Sequence, residues 1–264
     1  MRLFRAAEVG NLVVLKEELD KGTDPNFFFT RADGIPTPLH SSAGLKDELA
    51  GVACTELLLR FGAKASAVTK TVKNTPLHEA AFMGQHLICR MLLDSDSSVK
   101  GSFNAYGNTP LHAGVYSGSI NTVKMLLEKG TKANVVNNKG STPLHICAFL
   151  SSENDESTSI ATDKSCQLNN DSRIQIARLL LANDRKIINS TDENGYTALH
   201  VASLRGCVNM VKLLVKCGAS LKMRTNIDSK GRGNRTSVRL ILIHQHYDLL
   251  SPPLTAYFCQ FPFS

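Results

Sequence analysis

Histidine and cysteine are the residues of this chain that could bind a metal ion or act as nucleophiles. Five of the eight histidines stand in one recurring motif, Thr-x-Leu-His. A zinc site needs three or four ligands close together, and His244 and His246 have no evident third ligand. We therefore predict no bound metal. The motif histidines are His40, His78, His112, His145 and His200.

The seven cysteines are scattered singly, and no Cys-x-x-Cys occurs. An odd number of isolated cysteines argues against a disulfide framework and fits thiols in a reducing compartment. No Ser or Cys is paired with a convincing base, and neither a Gly-rich phosphate loop nor a helical His-Glu-x-x-His motif is present. We predict that the chain is not an enzyme and has no catalytic residue, no cofactor and no small-molecule substrate.

The net charge of +7 is concentrated in one stretch, residues 222–239, where six basic residues face the single acid Asp228. Because the charge is local, we do not expect a nucleic-acid groove. No window reaches eighteen apolar residues, and residues 1–12 lack the long apolar run of a secretory signal. We expect a monomer in the cytoplasm, with the nucleus as an alternative. The basic residues are Lys222, Arg224, Lys230, Arg232, Arg235 and Arg239.

The Thr-x-Leu-His motif marks an internal repeat. It starts at Thr37, Thr75, Thr109, Thr142 and Thr197, at spacings of 38, 34, 33 and 55 residues. A Leu-Leu or Leu-Val pair and a turn follow each motif. Two glycines twelve residues apart bracket the second part of a repeat, as in Gly118 and Gly130, and the same spacing at Gly10 and Gly22 indicates an opening repeat without the motif.

Each repeat predicts a pair of helices. Thr suits an N-cap, and Pro at the first helical position needs no backbone donor. The first helix ends near a Gly, and a second helix follows with an apolar stripe such as Val123, Leu126 and Leu127. One such pair is too small to bury its own stripe, so the pairs must stack to build a core.

These residues resemble the ankyrin repeat, whose pattern is G-x-TPLH-x-A-A-x-x-G followed by V-x-x-LL-x-x-G-A. The resemblance covers six units from Leu3 to about Asn226 and implies an all-α ankyrin solenoid with β-hairpin-like tips. We expect residues 1–226 to form this domain and residues 227–264 to form a basic linker, a divergent capping helix and an irregular apolar tail. In such a stack the motif histidines are structural, and Cys147 stands at a small core position.

Three departures from the pattern are informative. The spacing of 55 leaves about 21 extra residues, an acidic insertion at about 151–172, after the first helix of the fifth unit. We interpret it as a flexible surface insertion or, alternatively, as a regulatory loop with a phosphorylation site at Ser152. A four-residue insertion lies between the helices of the second unit, around residues 46–51. Lys73 stands where the pattern has Gly, which predicts a distorted tip.

The resemblance places partner binding on the tips and on the exposed side of the first helices. The two positions before the helix-ending Gly are apolar in several units, which favours an interface, although the rings could instead pack sideways on their neighbours. These residues are Phe82, Met83, Tyr116, Ser117, Phe149, Leu150, Leu204 and Arg205. The tip residues predicted to join them are Val72, Asn74, Tyr106, Asn108, Lys139, Asn194 and Tyr196.

Two functional classes follow from these observations. The first is a non-enzymatic module or scaffold that binds a protein or an extended peptide across units three to six. The second is the targeting arm of a kinase or ubiquitin ligase whose catalytic part is supplied elsewhere. The tail after Asn226 has three interpretations: a divergent cap, a docking peptide, or an alternative end of a longer protein. Residues 248–258 faintly resemble the end of a suppressor-of-cytokine-signalling box, which would favour the second class.

Overall fold

A computed structural model describes residues 1–28, 36–151, 170–226 and 235–236 of the chain. The chain divides into two compact halves, residues 1–132 and 133–264. The regular elements in the described residues of both halves are helices, which follow one another in pairs. The prediction of an all-α repeat fold is therefore confirmed.

The described residues of the N-terminal half form four helix pairs. Within it the first helices pack on one another (α1 on α3, α3 on α5, α5 on α7), and the second helices do the same (α2 on α4, α4 on α6, α6 on α8). This arrangement buries the apolar stripe of each helix against its neighbours. The helices are α1 (Arg2–Val9), α2 (Leu12–Asp20), α3 (Pro38–Ala43), α4 (Glu48–Arg60), α5 (Pro76–Phe82), α6 (His86–Ser95), α7 (Pro110–Ser117) and α8 (Ile120–Glu128).

The C-terminal half contains two helix pairs in its described residues. The first helices α9 and α11 pack together, as do the second helices α10 and α12, and each first helix contacts its own partner. The core is aliphatic, with Leu144, Ile176, Leu180 and Leu214 fully buried. The helices are α9 (Pro143–Phe149), α10 (Asn170–Asn183), α11 (Ala198–Leu204) and α12 (Val208–Lys216).

The first helices α3, α5, α7, α9 and α11 begin where the motif predicts. A Thr in extended conformation forms the N-cap of each, and its side chain and the His three residues later make a capping box. Four of these helices have Pro at the first position, where no donor is required. The motif therefore fixes both the start and the orientation of each first helix.

The two insertions lengthen second helices. Helix α4 has 13 residues where α6 has 10 and α8 has 9. The sequence interpretation, which placed the four extra residues between the helices, was therefore incomplete, because four residues add about one turn to α4. Likewise, α10 begins at Asn170, so the last residues of the predicted 151–172 insertion belong to this helix.

Two repeats replace the second glycine by a different turn. After α6 the chain forms a 3₁₀ helix at Ser97–Gly101, and after α10 another at Arg185–Asn189. The carboxylates of Asp96 and Asp184 accept hydrogen bonds from the backbone N–H two residues later, at 3.0 and 2.9 Å. In these two repeats an aspartate-capped 3₁₀ turn follows the second helix, whereas elsewhere a glycine with positive φ follows it, at Gly62, Gly130 and Gly218.

Candidate protein-binding surface

The motif histidines form a repeated internal hydrogen-bond system. In the third repeat (α5 and α6), the ring Nδ1 of His78 lies 3.2 Å from the backbone N of Thr75 and 2.9 Å from its Oγ1. The ring Nε2 lies 3.0 Å from the carbonyl oxygen of Asn108. Because a carbonyl only accepts, Nε2 carries the proton and Nδ1 accepts from Thr75. His40 and His145 make the same contacts, with the carbonyls of Asn74 and Tyr196.

These rings are held in the neutral form. Burial lowers the pKa of His40, His78 and His145 from 6.5 to about 4, against the opposing effect of the backbone hydrogen bonds. Since both nitrogens of each ring are engaged in hydrogen bonds, the rings join one repeat to the next tip, which is the structural role expected of them. In the described part of the chain no three His, Cys, Asp or Glu side chains are grouped as metal ligands.

The described cysteines are mostly interior. Cys54, Cys89, Cys147 and Cys207 are fully buried, and Cys217 is partly exposed. Cys147 donates to the carbonyl oxygen of Arg173 at 3.1 Å, and burial raises the pKa of its thiol to about 12. A thiol that stays protonated at neutral pH is a poor nucleophile. Cys147 is thus a core residue, as the sequence suggested.

In the N-terminal half, the apolar row (the two positions before the helix-ending Gly of each first helix) contains a pair of contacting aromatic rings. The rings of Phe82 and Tyr116 stack with centroids 5.3 Å apart and an interplanar angle of 22°. Both side chains, and those of the adjacent Met83 and Ser117, are partly exposed. Ser117 is also used internally, because its hydroxyl donates to the carbonyl oxygen of Gly114 at 2.8 Å. The stacked pair thus packs sideways and still presents surface to solvent.

In the C-terminal half, the same positions behave differently. Phe149 is only 7% exposed, and the guanidinium carbon of Arg205 lies 4.8 Å from its ring centroid. The expectation of an exposed aromatic at Phe149 is not met, because the ring is buried and the Arg205 cation lies over its face. Leu150, Leu204 and Arg205 remain partly exposed and form the accessible part of this row.

The tip residues divide into an exposed and a buried group. Val72, Tyr106, Lys139 and Tyr196 are partly exposed, and Asn194 is exposed. Asn74 and Asn108 are each only 2% exposed, contrary to the expectation that they project toward a partner. The reason is that these two stand directly before the threonine caps, where their backbone carbonyls accept the histidine Nε2–H.

The buried Asn74 is the centre of a polar network. Its amide donates to Oε1 of Glu79 at 2.8 Å, and its Oδ1 accepts from the Asn104 amide at 3.0 Å. Asn104 in turn accepts from the backbone N–H of Tyr106 and Asn108, at 2.9 and 3.0 Å. Asn74 and Asn108 thus shape the tips rather than present their side chains.

Sequence reasoning missed the residue that opens three of the described tips, at Asn104, Asn137 and Asp192. Asn137 and Asp192 repeat the role of Asn104, accepting from the backbone N–H groups two and four residues later. The signal was present as an Asn or Asp eight residues before the motif histidine. At Asp192 the group is a carboxyl, and burial raises its pKa from 3.8 to about 6.

Backbone hydrogen bonds connect successive tips within each half. The N–H of Ala105 donates to the carbonyl of Val72 at 2.7 Å, that of Glu193 to Lys139 at 3.1 Å, and that of Asn226 to Asn194 at 2.8 Å. These main-chain hydrogen bonds hold the tips in place, so the backbone positions of the exposed tip side chains are fixed.

Several predictions fall outside the described residues. They are the phosphorylation site at Ser152, most of the acidic insertion, the pair His244 and His246, and nearly all of the C-terminal segment. The boundaries predicted for the two domains stay predictions. Within the described residues, no helix is long and apolar enough to cross a membrane.

Comparison with known protein families gives one match. The family described as ankyrin repeats (3 copies) matches residues 3–102, 46–137, 99–156 and 153–225. These ranges contain all of the helix pairs described above except the first residue of α1. No curated protein matches the chain.

Proposed function

Because this chain belongs to the ankyrin repeat family, whose members generally mediate protein–protein interaction, we propose that it is a non-enzymatic module that binds a protein partner. The partner contacts the partly exposed residues of the first helices and the tips. The observation that carries the proposal is the stacked pair Phe82 and Tyr116, which keeps aromatic surface in contact with solvent.

The aromatic pair has the properties of an interaction anchor. Aromatic side chains are enriched at the centres of protein interfaces because they bury large areas at a low cost in side-chain entropy. Stacking limits the rotation of Phe82 and Tyr116 before a partner arrives, so less freedom is lost on binding. Met83 beside them adds an adaptable apolar side chain, and Tyr106 on a tip adds an apolar ring with a hydroxyl.

The C-terminal half offers a more polar surface. Leu204 and Arg205 lie at the row positions, and Lys139, Asn194 and Tyr196 lie on the tips. Arg205 over Phe149 is positioned by the ring contact, and Tyr196 meets His200 edge-on with centroids 6.1 Å apart. Such a surface suits a partner segment with acceptor groups, since Arg, Lys and Asn all donate.

The test is quantitative affinity capture from cell lysate with the full chain as bait. The variants are Phe82→Ala/Tyr116→Ala and Leu204→Ala/Arg205→Ala. The control is Leu87→Ala, which removes an apolar side chain that is 39% exposed on the second helix α6. Thermal unfolding of each variant checks that the fold is retained. We expect a partner that is lost with either double variant and kept with the control.

A photo-crosslinking amino acid at position 116 then tests direct contact. It should crosslink to the same partner, whereas the same group at position 87 should not. Equal capture by the double variants and the wild-type chain, or crosslinking only from position 87, would show that the first-helix surface does not bind the partner.

A further inference from the structure

A carboxylate lies beside the stacked rings of Phe82 and Tyr116. Glu79 precedes Phe82 by three residues on α5, and side chains three residues apart in a helix lie on the same face. Both side chains lean toward the N-terminus of the helix, so the Phe82 ring extends over the turn that carries Glu79. The carboxylate therefore stands at the edge of the aromatic surface on which the proposed function rests.

The repeat architecture does not require an acid at this position. The corresponding residues of the other repeats that carry the motif are uncharged, and they are Ser41, Ala113, Ile146 and Val201. Glu79 accepts one hydrogen bond, from the Asn74 amide at 2.8 Å, and the side-chain oxygen of a glutamine accepts the same bond. The polar network of the tips thus needs an acceptor here but not a negative charge.

The charge of Glu79 is not compensated within the described part of the chain. No Lys or Arg of the described residues pairs with this carboxylate, and its one hydrogen bond comes from a neutral amide. Partial burial raises the pKa of Glu79, and the bond from Asn74 opposes that shift without cancelling it. A carboxylate that has lost part of its hydration without gaining a counter-charge is stabilised when a cation arrives.

The side of Phe82 that faces away from Tyr116 is flanked by a small residue. Helix α5 lies between α3 and α7, so the ring face that does not stack on Tyr116 is turned toward α3. The residue of α3's repeat at the position of Phe82 is Gly44. Among the described residues, a Cβ built on Gly44 would come within 4 Å only of the backbone oxygens of His40 and Ser41. A planar group can therefore approach the ring from this side.

The same repeat position carries a cation in the C-terminal half. The guanidinium carbon of Arg205 lies 4.8 Å from the ring centroid of Phe149, which corresponds to Phe82. That contact forms although the residue three before Phe149 is the uncharged Ile146. At Phe82 an aromatic ring and a carboxylate occur together, a combination that binds a cation more strongly than a ring alone.

We infer that the surface formed by Gly44, Glu79 and Phe82 binds an arginine side chain of the protein partner. The guanidinium plane stacks on the Phe82 ring, and its N–H groups donate to the Glu79 carboxylate. Arginine fits better than lysine because its guanidinium is planar, stacks on aromatic faces and donates in a fork that matches a carboxylate. The inference rests on the proposed function and adds the chemistry of the partner.

A methyl NMR titration of the full chain with short peptides tests the inference. The probe is acetyl-Gly-Ser-Arg-Ser-Gly-amide, and its controls replace Arg by Lys or by citrulline, a neutral residue of nearly the same shape. The ¹³C-labelled methyl group of Met83, which follows Phe82 and is partly exposed, reports binding at this surface. That of Met91, on the second helix α6, reports binding elsewhere.

Two variants remove one interaction each. Glu79→Gln removes the charge and keeps the acceptor for Asn74, and Phe82→Leu removes the ring face and keeps an apolar side chain. The matched control is Glu128→Gln, which removes a carboxylate at the end of α8. Thermal melts check that each variant keeps its fold, and the citrulline comparison in the wild-type chain does not depend on a variant.

We expect the arginine peptide to shift the Met83 signal saturably and to leave the Met91 signal in place. The lysine peptide should bind at least about threefold more weakly, and the citrulline peptide at least about tenfold more weakly. Glu79→Gln and Phe82→Leu should each weaken binding of the arginine peptide by about fivefold or more, and Glu128→Gln should leave it unchanged.

Three results would overturn the inference: no saturable shift at Met83, equal affinity for the arginine peptide and either control peptide, or full affinity in Glu79→Gln. The lysate capture described above separates this inference from the proposed function. A partner that is lost with Phe82→Ala/Tyr116→Ala but kept in full with Glu79→Gln would overturn the arginine site and leave the proposed function intact.

Discussion

Acidification should destabilise this protein through its motif histidines. The pKa of His40, His78 and His145 is lowered by burial from 6.5 to about 4. Between these values the unfolded chain binds protons that the folded chain does not, so stability rises with pH through this window and is fully present above pH 6.5. The perturbation is a fall from pH 7 to pH 4.5, in the wild-type chain and in His78→Gln.

The magnitude follows from the size of the pKa change. A difference of about 2.5 pH units, at about 1.4 kcal/mol for each unit, makes each ring responsible for about 3.5 kcal/mol over the whole window. Asp192 acts in the opposite direction, because its folded pKa of about 6 lies above its ordinary 3.8, and it offsets about one of the three histidines. For these four groups the loss is about 5–7 kcal/mol, which is comparable with the stability of a whole domain.

The assay is a long-range ¹H–¹⁵N NMR titration of the histidine rings together with urea denaturation between pH 4.5 and 7.5. The neutral Nε2-protonated tautomer should persist in His40, His78 and His145 down to about pH 5. In His78→Gln the dependence of unfolding free energy on pH should fall by about half, because Asp192 already offsets about one of the three histidines. A folded-state titration of any of these rings near pH 6.5, or an unchanged slope in His78→Gln, would refute the argument that burial holds the rings neutral.

Three further substitutions test individual positions. Lys73→Gly should stabilise the chain by about 0.5–1 kcal/mol, because Lys73 has a φ of 56°, a conformation that favours glycine. The control Lys70→Gly, measured in the same thermal melts, should not stabilise the chain. Asp192→Asn should raise the unfolding free energy at pH 7 by about 1–2 kcal/mol, since Asn fills this position at Asn104 and Asn137. It should also make the rise of stability with pH between pH 4 and 6 steeper, because the opposing carboxyl is removed. Equal stability at pH 7 would contradict this prediction. Gly140→Ala should lower the unfolding free energy by more than about 3 kcal/mol, because at a φ of 70° the new Cβ would lie 2.8 Å from the backbone N of Glu193. The control Gly22→Ala should lower it by about 1–2 kcal/mol, because Gly22 has a φ of 84° but no atom within 4 Å of the new Cβ. Similar losses in urea melts of the two alanine variants would show that the close approach at Gly140 does not matter.

The fold was predictable from the sequence because one short motif encodes several interactions at once. Thr caps the helix, Pro starts it, Leu enters the core, and His links the repeat to the next tip. All four functions depend on residues within four positions of one another, so their spacing is visible without knowledge of tertiary contacts. Helix starts at Pro38, Pro76, Pro110 and Pro143 followed directly.

The details of the surface were less predictable because they depend on contacts between repeats. Nothing in the motif shows that Arg205 lies over Phe149, or that Asn74 and Asn108 turn inward. Similarly, a four-residue insertion can lengthen a loop or add a helical turn, and only the packing of α4 on α6 decides between them. Phe82 and Tyr116 were identified from repeat spacing, but their stacking geometry was not.

The buried thiols of this protein are intrinsic probes of local unfolding. Cys54, Cys89, Cys147 and Cys207 lie in repeats 2, 3, 5 and 6, and each is fully enclosed by its neighbours. An alkylating reagent can reach such a sulfur only when its repeat opens, so the modification rate at each cysteine measures the opening free energy of that repeat. The order in which successive repeats loosen, and whether they do so together, can therefore be timed in the wild-type chain without an introduced label.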